Sequence, residues 1–474
     1  MRYLSLGETS DISASCHYLE IGGVGLVLDA GMDPNEDGYA AVPPFESIAD
    51  RNVDHVVVTH AHHDHLGSLP VLMQKRPHAT VHMSRPTAML AEMLLPSSAR
   101  LQKRRMREGS TTSAPVFDVE QAEALGYLYE VHNLDTDFDL DGLDTRGEVT
   151  GRFYHAGHVL GAVGLYIEAD EWEDADTPGA TRAARKARTR RVFYTADTSV
   201  KPQTILQPAD YPPGPLDVLF LETTLGADPE AEETSRKEQE RAFGEAIKKV
   251  LARGGSALVP VFALGRSQDV LAMIGRFKNR GLFPKDTPVY TVGSMRGISA
   301  IYDQTRESTP RLDPDFEVYS VEQRRLPRST AQVNEAIAGG GIFVVTSGML
   351  FERTPSFSLA QKMVGDARHG IFFVGYSKED SPGALLQERA ASGEPMEFDE
   401  LVGPQAIKCD VKRFRFSGHA HRRDLISIVE KTRPKTVVLV HGETAAKEWM
   451  RDNILFFHPE VEVLIPEQGE VLEL

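Results

Sequence analysis

At 474 residues, with 41% hydrophobic and 26% charged residues, the chain is ordinary globular material too long for one core, and two or three domain-sized units are expected. No apolar run approaches the roughly 18 residues that a membrane span requires. With 52 Lys+Arg against 69 Asp+Glu the net charge is −17, which argues against a protein that holds nucleic acid by bulk positive charge but not against a polyanionic substrate, since metal dications or a basic groove can sit on an acidic body.

The opening Met1-Arg2-Tyr3-Leu4-Ser5-Leu6-Gly7-Glu8 lacks the basic flank and apolar segment of a signal peptide, so the cytoplasm is the expected compartment. Cys16 and Cys409 are far apart and read as small buried thiols without a disulfide framework. Residues 16–21, 25–29 and 54–58 read as short strands. Asp29 closes the second of them, where the ordinary role of an aspartate is to cap a turn.

The third strand runs into Thr59-His60-Ala61-His62-His63-Asp64-His65-Leu66-Gly67, which packs four imidazoles and a carboxylate into six residues. In an extended segment alternate side chains share a face, so His60, His62 and Asp64 are expected to point one way, with His63 out of register and a turn at Leu66-Gly67 bringing His65 beside Asp64. One pair of histidines can then hold one metal while Asp64 and His65 hold a second, since neutral imidazole and carboxylate suit zinc-like ions. A histidine-rich loop without metal would cluster these polar groups at a strand end for no physical reason.

Residues 86 to about 107 read as a helix whose end carries Lys103, Arg104, Arg105 and Arg107; such a run is usually a solvated face, nucleic-acid contact being the alternative. Gly157-His158-Val159-Leu160-Gly161 then sets His158 among small residues that let the backbone approach a site, whereas His155 reads as packing. The acidic and basic patches of residues 169–191 read as a long charged hairpin loop, self-compensating and solvated. Asp197 follows the strand at 192–195. Glu222 follows another at 216–221. From there a helix over 233–252 opens an alternation of strands and helices that argues for an α/β unit with a mainly parallel sheet. Near the end, Phe416-Ser417-Gly418-His419-Ala420-His421 precedes a helix, and the strand 436–440 leads into His441.

The His-x-His-x-Asp-His loop, with Asp29 before it and His158 and Asp197 after it, resembles the signature of the metallo-β-lactamase superfamily. Glu222 in Leu221-Glu222-Thr223-Thr224, Pro260-Val261-Phe262-Ala263-Leu264-Gly265-Arg266-Ser267-Gln268, His419 in Ser417-Gly418-His419 and His441 in Val440-His441-Gly442 are similar to the additional motifs of its β-CASP ribonuclease branch. The resemblance implies an α/β chain, an αββα metallo-β-lactamase sandwich with an inserted α/β β-CASP domain: residues 1–224 form the first part of the sandwich, 225–412 the insert and 413–474 the completion. Ser347-Gly348-Met349-Leu350 and Gly293-Ser294-Met295 depart from the usual sequences of the branch, as does His421, where aspartate is common.

Carried over position by position, the resemblance implies two divalent metal ions, zinc or else manganese. His60, His62 and His158 hold one, Asp64, His65 and His441 the other, and Asp197 bridges them, with Asp29 behind the loop orienting it. The implied activity is a metal-dependent ribonuclease, endonucleolytic, exonucleolytic or both, that uses a hydroxide activated by two metals and leaves 5′-phosphate and 3′-hydroxyl ends. In it Asp64, Asp197, Glu222 and His419 are catalytic, His419 protonating the leaving oxygen and Glu222 supporting it. The branch carries histidine at the position of His441 in RNA-processing members and typically valine in DNA-processing ones. The expected partners are an RNA substrate, no membrane, and a second copy of the chain as the protein partner to consider. Two rival readings keep the same metals: a DNA-processing nuclease of the branch, and a small-molecule thioester, ester or lactone hydrolase, which would have no need of Glu222, His419 and a large insert.

Overall fold

The computed structural model describes residues 1–7, 13–172, 187–399 and 401–474. They form two compact units, one of Met1–Lys201, Gln207–Glu232 and His419–Leu474, the other of Pro202–Leu206 and Glu233–Gly418.

The first unit is built on two seven-stranded sheets. One runs Val471–Glu473, Arg2–Ser5, His17–Ile21, Val24–Leu28, His55–Val57, Thr80–Ser84, Tyr129–His132; the other runs Glu462–Leu464, Thr436–Val440, Val218–Glu222, Ala187–Tyr194, Val163–Trp172, Val149–His155, Asp137–Asp139. Val24–Leu28, antiparallel to His17–Ile21 and parallel to His55–Val57, and Val218–Glu222, parallel to both its neighbours, are buried at every residue, as strands covered on both faces should be. Side chains alternate across the sheet as a period of two requires. Phe220 and Val438 turn inward to Leu26, Leu28, Val57, Phe153 and Ile167, while Leu219, Leu221 and Leu439 turn outward to Leu425, Val429, Met450 and Ile454 of the helices Arg422–Thr432 and Thr444–Phe457. With Arg85–Arg107 packed on the other sheet, the layers run helix, sheet, sheet, helix. The expected α/β sandwich is therefore present.

The second unit has a six-stranded sheet in the order Arg324–Arg325, Val289–Thr291, Ile342–Val345, Ala257–Pro260, Gly370–Phe373, Asp410–Arg413, and every pairing in it is parallel. Helices such as Arg236–Ala252, Arg266–Asn279 and Pro355–Met363 alternate with the strands. That is the α/β insert expected from the alternation of patterns.

Two local expectations are corrected. The histidine loop is not extended as far as Asp64: its strand stops at Val57, and His63–Leu66 is a single helical turn. A helix places neighbouring residues about 100° apart, so the helical turn, not a reversal at Gly67, separates Asp64 from His65. The described ends of the charged segment, residues 169–172 and 187–191, are strand and not loop, since Val163–Trp172 and Ala187–Tyr194 pair as far as Trp172↔Ala187. Arg191 stands opposite Glu168 at 3.3 Å, and Arg190 meets Glu171 at 3.0 Å, so the opposite charges compensate one another as expected, but across paired strands. Glu173, Asp174, Asp176, Arg182, Arg185 and Lys186 lie outside the described residues.

Cys16 and Cys409 are buried free thiols. The basic helix end is exposed, with Arg105 paired to Asp37 at 2.7 Å. Among the described residues no helix is long and apolar enough to cross a membrane.

Candidate metal centre

The strand ends of the first unit deliver the site. Asp29 follows Val24–Leu28, residues 60–65 follow His55–Val57, and His158 follows Val149–His155. Asp197 follows Ala187–Tyr194, Glu222 closes Val218–Glu222, and His441 follows Thr436–Val440. Backbone strain gathers at the same edge: Asp29, Ala196 and His441 have φ of 59°, 46° and 46°, a region that side chains other than glycine rarely adopt. Close approach matters as well. A Cβ on Gly31 would meet the carbonyl oxygen of Asp64 at 1.8 Å, so only glycine lets these two loops pack.

Seven side chains converge there in two groups. His62 Nδ1 lies 3.2 Å from His60 Nε2 and 3.1 Å from His158 Nε2, with the rings nearly perpendicular. In the second group His441 Nε2 is 3.6 Å and His65 Nε2 4.0 Å from Asp64 Oδ2. Asp197 touches both: its Oδ2 is 3.7 Å from His60 Nε2, 3.5 Å from His158 Nε2 and 3.5 Å from His65 Nε2, and its Oδ1 is 3.2 Å from His441 Nδ1.

These residues fit bound cations. Within each group one ligand atom per residue lies within 4.8 Å of all the others. His65 Nε2, His441 Nε2 and Asp197 Oδ1 are buried without a hydrogen-bond partner, the Asp197–His441 approach failing on geometry, and such orphaned atoms are costly unless something else binds them. His62 Nδ1 faces two nitrogens and can satisfy only one with its hydrogen or its lone pair. Imidazole with carboxylate is the donor set of zinc-like ions.

Burial is the largest influence on His60, His62, Asp64, His65, Asp197 and His419, and it opposes charge. It holds His60 well below the ordinary imidazole value, with His65 adding to the effect, and lowers His62 against the pull of Asp64. Both therefore offer lone pairs at neutral pH. For Asp64 and Asp197 the surrounding imidazoles, His441 and His65 foremost, overcome burial and hold both carboxyls below their usual range. His65 is driven the other way, raised well above its ordinary value against burial by Asp197 and Asp29. A proton on His65 thus supplies positive charge that the carboxylates demand, and a cation can take its place.

Behind the groups, Asp29 accepts from Thr59 N at 2.8 Å, Thr59 Oγ1 at 2.9 Å, Tyr194 OH at 2.9 Å and His65 Nδ1 at 2.8 Å. The last bond fixes the tautomer that leaves His65 Nε2 facing the centre. Glu222, with no exposure, accepts from Thr198 N at 2.8 Å and from Thr224, and both its oxygens lie 3.2 Å from His419 Nδ1. His419 packs against His158 with ring centroids 4.4 Å apart. Burial lowers the His419 value, but Glu222 and then Asp197 outweigh it and raise the group to about 9.

All ten residues singled out in the sequence are thus in one neighbourhood. His155 stands apart, its Nε2 on the carbonyl of Gln207 at 3.1 Å. Sequence reasoning missed Ser15 and Tyr194, which continue the Asp29 network at 3.1 Å from one another. Both are ordinary strand-associated residues and carry no local signal. His421 joins Asp424 at 2.9 Å and also meets Lys201, outside both donor groups.

Residues 10–232 match the metallo-beta-lactamase superfamily, residues 267–386 the Beta-Casp domain, and residues 404–466 the Zn-dependent metallo-hydrolase RNA specificity domain. The chain is similar to the RNase J-like protein of Methanocaldococcus jannaschii, 28% identical across 92% of this chain and 91% of that one. It is similar to endoribonuclease ysh1 of Schizosaccharomyces pombe, 26% identical across 94% of this chain and 54% of that one, and to endoribonuclease YSH1 of Saccharomyces cerevisiae, 24% identical across 93% and 54%. The chain therefore spans about half the length of these yeast relatives. Among solved structures, a protein of unknown function from Enterococcus faecalis V583 superposes over 99% of both chains with a TM-score of 0.53 at 13% identity, a likeness of fold alone.

Proposed function

Because this chain belongs to the metallo-β-lactamase superfamily and carries an inserted Beta-Casp domain, we propose that it is a metal-dependent ribonuclease that hydrolyses RNA phosphodiesters to 5′-phosphate and 3′-hydroxyl ends. The observation that carries the reading is the hydrogen-bonded pair of buried Glu222 and half-buried His419, set against two donor groups joined by Asp197. A hydrolase that needed only Lewis acidity would have no use for that pair. The RNA assignment draws on the match of residues 404–466 and on what the similar proteins are named for.

His60, His62 and His158 would hold one divalent cation and Asp64, His65 and His441 a second, with Asp197 reaching both. Zinc suits this donor set best and manganese is its competitor. Such cations supply Lewis acidity, lowering the pKa of water and offsetting charge on a phosphodiester.

The chain does the rest. Asp29 pins His65 Nδ1–H, so Nε2 stays directed at the centre. His419 keeps Nδ1–H on Glu222, which leaves Nε2 as the nitrogen able to carry a proton to the leaving 3′ oxygen. Glu222 cannot turn away, because Thr198 and Thr224 hold its oxygens. Its negative charge stabilises the imidazolium before transfer and orients the neutral ring after it.

End-labelled RNA and DNA of one sequence, incubated with the metal-loaded protein, test the reading. RNA is expected to be cut much faster, since a 2′-hydroxyl lets a protein tell the two apart. The products are expected to carry 5′-phosphates, and cleavage should stop with a chelator. Equal rates or a preference for DNA would overturn the substrate class, and cleavage that survives chelation would overturn the chemistry.

A further inference from the structure

A second cluster of imidazoles lies on the edge of the other sheet and shares no residue with the centre described above. His82, on Thr80–Ser84, has 1% exposure and sits between two other rings: its Nε2 is 2.9 Å from His55 Nδ1, and its Nδ1 is 2.8 Å from His132 Nε2. Glu130 pairs with His82 in the strand register, and its Oε2 is 3.8 Å from His82 Nδ1. Glu130 and His132 are two residues apart on the edge strand Tyr129–His132, so they share a face. Phe138 stacks on His132 at 3.9 Å and on His82 at 5.4 Å, holding both ring planes.

The hydrogen bonds determine which nitrogen carries each proton. His55 Nε2 is 3.1 Å from the carbonyl oxygen of Asp141, which can only accept, so His55 Nε2 bears hydrogen and Nδ1 bears the lone pair. His82 Nε2 must then donate to His55, and His82 Nδ1 is left with a lone pair aimed at the sheet edge. That is the arrangement of a metal-ligating histidine, whose far N–H is fixed by an acceptor behind it.

We propose that His82 Nδ1, His132 and the Glu130 carboxylate form a second, peripheral site for a zinc-like divalent cation. One ligand atom from each residue lies within 4.8 Å of the other two. Tetrahedral zinc, with bonds of about 2.0–2.1 Å to nitrogen, needs ligand atoms roughly 3.3 Å apart. The half-exposed His132 ring therefore backs away by about 0.5 Å from the 2.8 Å it keeps when it donates to His82. The Glu130 side chain, 60% exposed, gives the ion a path from solvent, and water completes the shell. Burial lowers all three imidazoles, His82 to about 3, so they are neutral and open to a cation at pH 7. With ligands on two adjacent strands, the ion would clamp the edge strand Tyr129–His132 onto Thr80–Ser84.

The test strips the purified protein with a chelator, titrates it with Zn2+, and counts bound equivalents by elemental analysis beside His132→Ala and Glu130→Gln. Wild type is expected to bind one equivalent more than His132→Ala, and Glu130→Gln is expected to hold that equivalent at least tenfold more weakly. Zn2+ should also protect the amides of residues 129–132 from hydrogen exchange in wild type but not in His132→Ala. The reading is a difference between proteins that share the catalytic residues, so it stands whether or not that centre takes two metals. Equal stoichiometry and equal affinity in wild type and both variants would overturn the site; if His132→Ala did not fold, Glu130→Gln would decide it alone.

Discussion

Glu222 is buried and His419 half-buried, and their carboxylate–imidazole contact of 3.2 Å stands beside the donor groups and not within them, so mutating them separates chemistry from metal binding. His419 belongs to neither of the two donor groups that Asp197 joins. His419→Ala should leave the metal content of the purified protein unchanged while cleavage falls by about 10² or more, the usual scale for a lost general acid. Glu222→Gln should lose less. Loss of a metal in His419→Ala would make His419 a ligand and remove the acid from the mechanism. Asp29 answers a different question, because it receives four donors and donates to none. Asn in its place turns an amide N–H toward groups that are themselves donors. Asp29→Asn should therefore weaken metal binding by about 10–100-fold, as outer-shell changes do, with a smaller effect on the rate of the fully loaded protein. Competition with a chromophoric chelator measures it. The ligands were legible because four of them crowd one loop and the others stand alone at strand ends; Tyr194 and Ser15 were not, since their role depends on two sheets meeting face to face. His82, His132 and Glu130 were hidden for a similar reason, as only the register of two strands joins positions so far apart in sequence.

The strands that carry the site read clearly from sequence wherever both faces are buried, as in Thr436–Val440, because a continuous apolar run has few other uses in a soluble fold. The helical turn His63–Leu66 was illegible. It is too short for a 3.6-residue period to show, and four of the six residues from His60 to His65 are histidines chosen for chemistry rather than propensity. The ends of the charged hairpin, residues 169–172 and 187–191, read as loop for the opposite reason: their polar residues hide the strand pattern, while pairing between Val163–Trp172 and Ala187–Tyr194 starts at the apolar end. Leu165 and Arg191 lie on these two strands and contrast the forces that hold them. Leu165 has no exposure and packs between the sheets, so Leu165→Ala should cost about 2–5 kcal/mol. Arg191 is 45% exposed in its pair with Glu168, so Arg191→Ala should cost less than about 1 kcal/mol. Urea unfolding of the two variants checks both numbers. Comparable losses would mean that the ion pairs, not the core, hold the ribbon in place.

At the scale of the whole molecule the net charge of −17 constrains how the proposed substrate can be held. A protein that binds single strands by bulk positive charge releases about 0.7 counterions per phosphate engaged, so the dependence of log K on log salt steepens with every nucleotide added. On an acidic body that steepening should end early. Phosphates near the metal centre meet cations, whereas those further along meet a surface that is on average repulsive and, at about 0.1 M salt, screened beyond roughly 10 Å. RNA oligonucleotides of increasing length, titrated against metal-loaded His419→Ala protein at several salt concentrations, give the slopes directly. The slope should rise over the first few nucleotides and then stay flat, and at low salt the longer oligonucleotides should bind no tighter than those that just fill the site. A slope growing in proportion to length would show a continuous basic track, and the inference from net charge to a short, metal-centred footprint would then fail.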